Sequence, residues 1–133
     1  MAAITEYRAA LELEPRYFKA HYNLGLAYAS QHLPDDAIRE YREAIDLDPQ
    51  NASVHNNLGT VLVQIGRIDD AIAEYQQAVR LAPDGAEQHF NLGVLLTRVG
   101  RFEEARQHRE RALALRPDLG GERGSAPPPA RSR

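Results

Sequence analysis

A chain of 133 residues with 43% apolar and 26% charged residues has the composition of one globular domain, not of a disordered or membrane protein. No stretch approaches the roughly 18 consecutive apolar residues of a membrane span. The first residues lack the basic and apolar regions of a secretory leader, and the absence of cysteine excludes disulfides, thiolate zinc sites and cysteine nucleophiles.

The 16 basic and 19 acidic residues give a net charge of −3, and residues 120–133 hold three of the arginines against one glutamate. The remainder is therefore acidic, which argues against a nucleic-acid partner. Taken together, these features predict a cytoplasmic chain with no membrane partner.

In chain order, the apolar spacing predicts helices over 2–14, 18–31, 35–48, 52–65, 69–82, 86–99 and 103–116. In the central part, Val54, Leu58, Val61, Leu62 and Ile65 mark one helical stripe, and Ile72, Tyr75, Val79 and Leu81 mark the next. Gly66 and Gly100 stand where a left-handed residue ends the first helix of a pair. Asp69-Asp70 and Glu103-Glu104 follow at the start of the second, where acidic side chains suit the dipole. Asn51 and Asp84 lie where a cap for the following helix is expected.

The prolines at 15, 49, 83 and 117 recur every 34 residues, and each closes a similar phrase, as in Ala-Ile-Asp-Leu-Asp-Pro49 and Ala-Val-Arg-Leu-Ala-Pro83. Asn-Leu-Gly recurs in the same register at 23–25, 57–59 and 91–93. Self-similarity at a fixed period is the signature of a repeat array. The period, the Leu-Gly pair, Ala37, Ala71 and Ala105, then Ala44, Ala78 and Ala112, and the closing prolines resemble tetratricopeptide repeats over about residues 1–119.

That resemblance implies an all-α fold, a right-handed superhelical solenoid of stacked antiparallel helix hairpins with about three and a half repeats. The expected divisions are a half repeat at 1–17, full repeats at 18–51, 52–85 and 86–119, and a disordered, basic, Pro/Gly-rich tail at 120–133. Glycine and alanine let paired helices approach closely, while Tyr28, Leu62 and Leu96 fill the space between them.

The two ends of the array read differently. Ile4 and Tyr7, Ile38 and Tyr41, and Ile72 and Tyr75 are expected on the face that receives the next hairpin, whereas the last copy carries Arg106 and Arg109, as a solvated terminal repeat requires. Residues 2–14 supply only the second helix of a repeat. Its open face, with Ile4, Tyr7 and Leu11, is a candidate surface for self-association into a homo-oligomer.

No motif announces catalysis. There is no Gly-x-Ser-x-Gly, phosphate-cradling glycine loop or His-Glu-x-x-His, so a non-catalytic chain without cofactors is expected. His21, His55 and His89 share one slot of the repeat, but equivalent residues on stacked helices stand roughly 8 to 10 Å apart, too far to share a metal. Their expected role is packing between helices with the ring tip hydrogen-bonded, and no metal is expected. His32 and His108 carry no signal in the sequence.

The resemblance places the first helix of each hairpin on the concave side of the superhelix, where it implies a peptide-binding groove. Candidate contact residues are Tyr22, Asn23 and Leu26, then Asn56, Asn57 and Thr60, then Phe90, Asn91, Val94 and Arg98. A primary amide offers a donor and an acceptor, so the ladder Asn23, Asn57, Asn91 can pair with the backbone of an extended peptide. Tyr22 and Phe90 flank it as aromatic anchors.

The His-x-Asn-Leu-Gly phrases are similar to the repeat arm of O-linked N-acetylglucosamine transferases, in which an asparagine ladder holds acceptor polypeptides. On that likeness the chain is a targeting arm whose chemistry is supplied elsewhere. The family's two-carboxylate clamp for chaperone tails keeps only Asn57 of five positions, because Tyr22, Leu26, Glu87 and Asn91 replace the polar or cationic residues it needs.

Overall fold

The computed structural model describes residues 2–120, so the predicted tail, apart from Gly120, lies outside the described residues. The described residues fall into two compact units, divided between Leu81 and Ala82. The first contains α1 (Ala2–Leu13), α2 (Phe18–Ser30), α3 (Pro34–Leu47), α4 (Ala52–Gln64) and α5 (Ile68–Leu81), and the second contains α6 (Ala86–Arg98) and α7 (Phe102–Leu115). The described residues include no strand.

Helix limits follow local chemistry closely. The second helix of each pair begins one residue before the predicted start, at Pro34, Ile68 and Phe102. Proline suits this first position, because its missing N–H would have no helical partner there. Asn51 caps α4 by accepting from the Val54 amide at 3.2 Å. Asp84 is not the cap of α6; Gly85 takes that place, and Asp84 pairs instead with Arg111 at 2.8 Å.

The turn within each hairpin needs one left-handed residue. Gly66 at φ 82° and Gly100 at φ 86° fill it as predicted, and His32, at φ 61°, holds the same place in the first hairpin. In all three, the next residue's amide closes the turn onto the first helix: Leu33 on the Tyr28 carbonyl, Arg67 on Leu62 and Arg101 on Leu96, each at 2.9 Å. This bond satisfies an orphan carbonyl at the helix end. His32 was not legible as this residue from the chain alone, since its conformation is ordinarily reserved for glycine.

In the first unit α1 packs on α2, α2 pairs with α3, α3 with α4, and α4 with α5. Leu24, Leu58, Leu62 and Tyr28 are buried with Ala37, Ala44, Ala71 and Ala78. Tyr41 and Tyr75 lie against Gly25 and Gly59 of their own hairpins, where an added Cβ would meet the ring at 2.6 and 2.7 Å. Burial raises the Tyr41 phenol to about 12, with Tyr22 adding to the shift.

In the second unit α6 and α7 close around Leu92, Leu96, Ala105 and Ala112. Arg109 replaces the tyrosine, its Cγ standing 2.5 Å from where a Cβ on Gly93 would be. Arg106 pairs with Glu110 at 2.9 Å and also with Glu103, and both it and Arg109 are exposed. Beside them Phe102 is 66% exposed and, with Thr97, Ala105 and Leu113, borders a cavity of about 360 Å³.

Candidate interaction surface

The three slot histidines are anchored from both sides. His21 Nδ1 lies 2.7 Å from Glu40 Oε1 and its Nε2 lies 2.8 Å from the Pro15 carbonyl. His55 repeats the arrangement with Glu74 at 2.8 Å and the Pro49 carbonyl at 3.3 Å. Each ring thus ties the hairpin's second helix to the loop that precedes the first. With an acceptor on each side, the doubly protonated ring of His55 satisfies both. The Glu74 hydrogen bond accordingly raises His55 above the ordinary histidine range, against the opposing effect of burial.

His89 keeps the carbonyl contact, its Nε2 lying 2.8 Å from the Pro83 oxygen, but its Nδ1 faces His108 Nδ1 at 3.0 Å. His108 occupies the position of Glu40 and Glu74 in the 34-residue register. Burial, then the neighbouring His89, lowers His108 below the ordinary range, while Glu104 opposes the shift. Sequence reading anticipated the hydrogen-bonded rings but missed their partners. The signal was present in the 19-residue interval from histidine to glutamate, which recurs twice and then becomes histidine to histidine.

The candidate groove residues of the first unit lie on α2 and α4. Leu26 is 39% exposed, and Tyr22, Asn23, Asn57 and Thr60 are half-buried. Asn56 departs from expectation: at 6% exposure it is part of the interior. Asn57 donates through Nδ2 to the Tyr22 hydroxyl at 3.1 Å, linking the two helices. This leaves the amide oxygen and one N–H, and holds both in a fixed orientation. Thr60 shares a hydrogen bond of 2.9 Å with the Tyr75 hydroxyl. The Tyr22 ring stacks on Phe18 at 5.9 Å between centroids.

On α6, in the second unit, Phe90 and Asn91 are half-buried, while Val94 is 39% exposed and Arg98 is exposed. At the start of the chain Ile4, Tyr7 and Leu11 are half-buried, and Leu13 is 90% exposed. Arg8 donates to the Tyr28 hydroxyl at 3.1 Å and its guanidinium lies over that ring, fixing α1 to α2. No helix among the described residues is long and apolar enough to cross a membrane.

Helix hairpins repeated in a 34-residue register define the class: an all-α protein built of repeated helix pairs. The tetratricopeptide repeat family matches residues 56–119, and its repeats are matched again at 2–31 and 35–66. The chain therefore belongs to the tetratricopeptide repeat family, a fold of protein-interaction modules.

No curated protein sequence matches the chain. Among solved structures, a crystal structure of MamA is 26% identical over 86% of this chain and 67% of its own, with a TM-score of 0.81. A MamA structure designated AMB-1 is 27% identical over 94% of this chain and 68% of its own, with a TM-score of 0.76. MamA from Desulfovibrio magneticus RS-1, residues 41 to the end, is similar in fold at 23% identity, with 86% and 65% of the two chains covered and a TM-score of 0.79. The chain spans about two thirds of the length of these structures.

Proposed function

We infer that the chain is a non-catalytic recognition module whose α2–α4 face binds an extended peptide segment of a partner protein. The observation that carries this reading is the bond from Asn57 to the Tyr22 hydroxyl, which holds an amide against α2, where Leu26, one turn beyond Tyr22, is exposed. A fixed amide can pair with a peptide backbone without paying for its own ordering, and an apolar neighbour receives a side chain. On α6, Phe90, Asn91, Val94 and Arg98 supply a separate surface of similar chemistry. The likeness to the acceptor-holding arm of O-linked N-acetylglucosamine transferases supports the same mode of peptide capture, with any chemistry belonging to another chain.

Nuclear magnetic resonance with a peptide selected for binding tests the location. Shifts concentrated at Tyr22, Leu26, Asn57 and Thr60 support the groove; shifts confined to α3, α5 or α1 would refute it. A second reading, self-association through Ile4, Tyr7 and Leu11, is favoured by the 90% exposure of Leu13 on the same helix. Light scattering over a range of concentrations tests it, and an unchanging monomer mass would exclude it.

A further inference from the structure

The third hairpin breaks the pattern of the other two at one side chain, and the change alters what its core histidine can do. In α2–α3 and α4–α5 the histidine Nδ1 faces a carboxylate, which can only accept a hydrogen bond, so Nδ1 carries a proton there and has no free lone pair. In α6–α7 it faces another imidazole, Nδ1 to Nδ1 at 3.0 Å, with the ring centroids 5.2 Å apart and the planes 29° from parallel. The Pro83 carbonyl, 2.8 Å from His89 Nε2, can only accept, so the His89 proton resides on Nε2 and its Nδ1 lone pair points at His108. Anchoring of one ring nitrogen by a backbone carbonyl is what orients metal-binding histidines.

We propose that His89 and His108 form a two-nitrogen site for an imidazole-preferring divalent ion, copper(II) or zinc, which clips α6 to α7. Two nitrogens each about 2.0 Å from one ion stand about 2.8 Å apart in a square plane and about 3.3 Å apart in a tetrahedron. The observed 3.0 Å lies between these values, and because the two nitrogens face each other end to end, each ring turns its lone pair off the line between them to reach the shared ion. His108 frees its own Nδ1 by carrying its proton on Nε2 instead, a change of tautomer with no change of charge.

His89 is 7% exposed and His108 is half-buried, so the ion enters from the α7 side. Glu104, one turn before His108, places a carboxylate nearby, although Arg101 holds it at 2.7 Å. Among the described residues no group of three His, Asp or Glu side chains converges. Water therefore fills the remaining positions, which gives an exchangeable site in contrast to a closed structural one. The ladder His21, His55, His89 plays no part, because the pair runs across one hairpin and not along the stack.

The test is titration of the full chain with copper(II), followed by calorimetry and by electron paramagnetic resonance, with zinc chloride in a parallel thermal-shift series. The expected result is one ion per chain with nitrogen hyperfine structure from two imidazoles, and affinity at least tenfold lower in His108→Gln. His108→Gln is the informative variant, since a glutamine amide can still donate to His89 Nδ1 and the position is half-buried. Circular dichroism in the presence of a chelator confirms that it folds. His32→Gly should bind as the parent does. Unchanged affinity in His108→Gln, or a spectrum with no imidazole nitrogen, would overturn the proposal.

Discussion

The ring of Tyr75 lies so close over Gly59 that a Cβ added there would stand 2.7 Å from its Cδ1. The two helices of this hairpin approach at the glycine, and the tyrosine fills the groove so created. Because Tyr75 is 5% exposed and tied to Thr60 by a hydrogen bond, it has little freedom to withdraw. Gly59→Ala should therefore destabilise the first unit by about 1 to 3 kcal/mol despite adding a good helix former. Urea unfolding monitored by circular dichroism would show the loss, and a stabilised Gly59→Ala would contradict the packing described.

His32 offers the opposite experiment. Its φ of 61° costs a non-glycine residue about 1 to 2 kcal/mol, of which glycine's greater unfolded-state freedom returns part. His32→Gly, restoring the residue found at 66 and 100, should stabilise the chain by roughly 0.5 to 1 kcal/mol. The midpoint of thermal unfolding should rise. A fall would mean that the His32 side chain makes a contribution larger than its backbone strain.

The histidine partners predict opposite pH responses in two hairpins of one chain. His55 is raised by Glu74, so its contribution is fully present below the unfolded value of about 6.5 and is lost as pH rises through the raised folded value. His108 is lowered, first by burial and then by His89, so its contribution is present above about 6.5 and is lost as pH falls through the lowered value. Corrected for intrinsic rates, hydrogen exchange between pH 5.5 and 7.5 should show α6–α7 opening more readily toward acid and α4–α5 opening more readily toward base. His108→Glu should bring α6–α7 into line with α4–α5.

Much of this architecture could be read from the chain itself because a 34-residue register repeats its errors as well as its rules. Pro49, Gly66, Ala71 and Ala78 each occupy a place that backbone geometry or close packing dictates, and their copies reinforce the reading. Helix limits moved by one residue at Pro34, Ile68 and Phe102, since periodicity locates a face and not an end. Apolar spacing marks Tyr41 and Tyr75 as buried but does not show that each rests on a glycine of its own hairpin. Asn56 was placed with the accessible residues because Tyr22 and Phe90 share its register, yet a small amide fits inside where the rings do not. The pairing of His21 with Glu40 and of Asn57 with Tyr22 joins separate helices, so it became visible only once the helices were placed.

The cap of α4 gives a local check on the start of the repeat. Asn51→Ala removes the acceptor of the Val54 amide, and about 1 kcal/mol of stability should go with it. Asp84→Ala, at the place first expected to cap α6, should cost less, because its only described partner is an exposed Arg111. Equal losses at the two positions would contradict the assignment of Gly85 as the cap.

The central claim, recognition of a peptide by the α2–α4 face, is tested most directly by calorimetry with a peptide selected against the intact chain. Tyr22→Ala combined with Asn57→Ala should weaken binding by about 2 kcal/mol, roughly thirtyfold, while the helical circular dichroism stays at the parent level. Undiminished affinity in that variant, with the fold intact, would place the binding surface elsewhere on the chain and contradict the account.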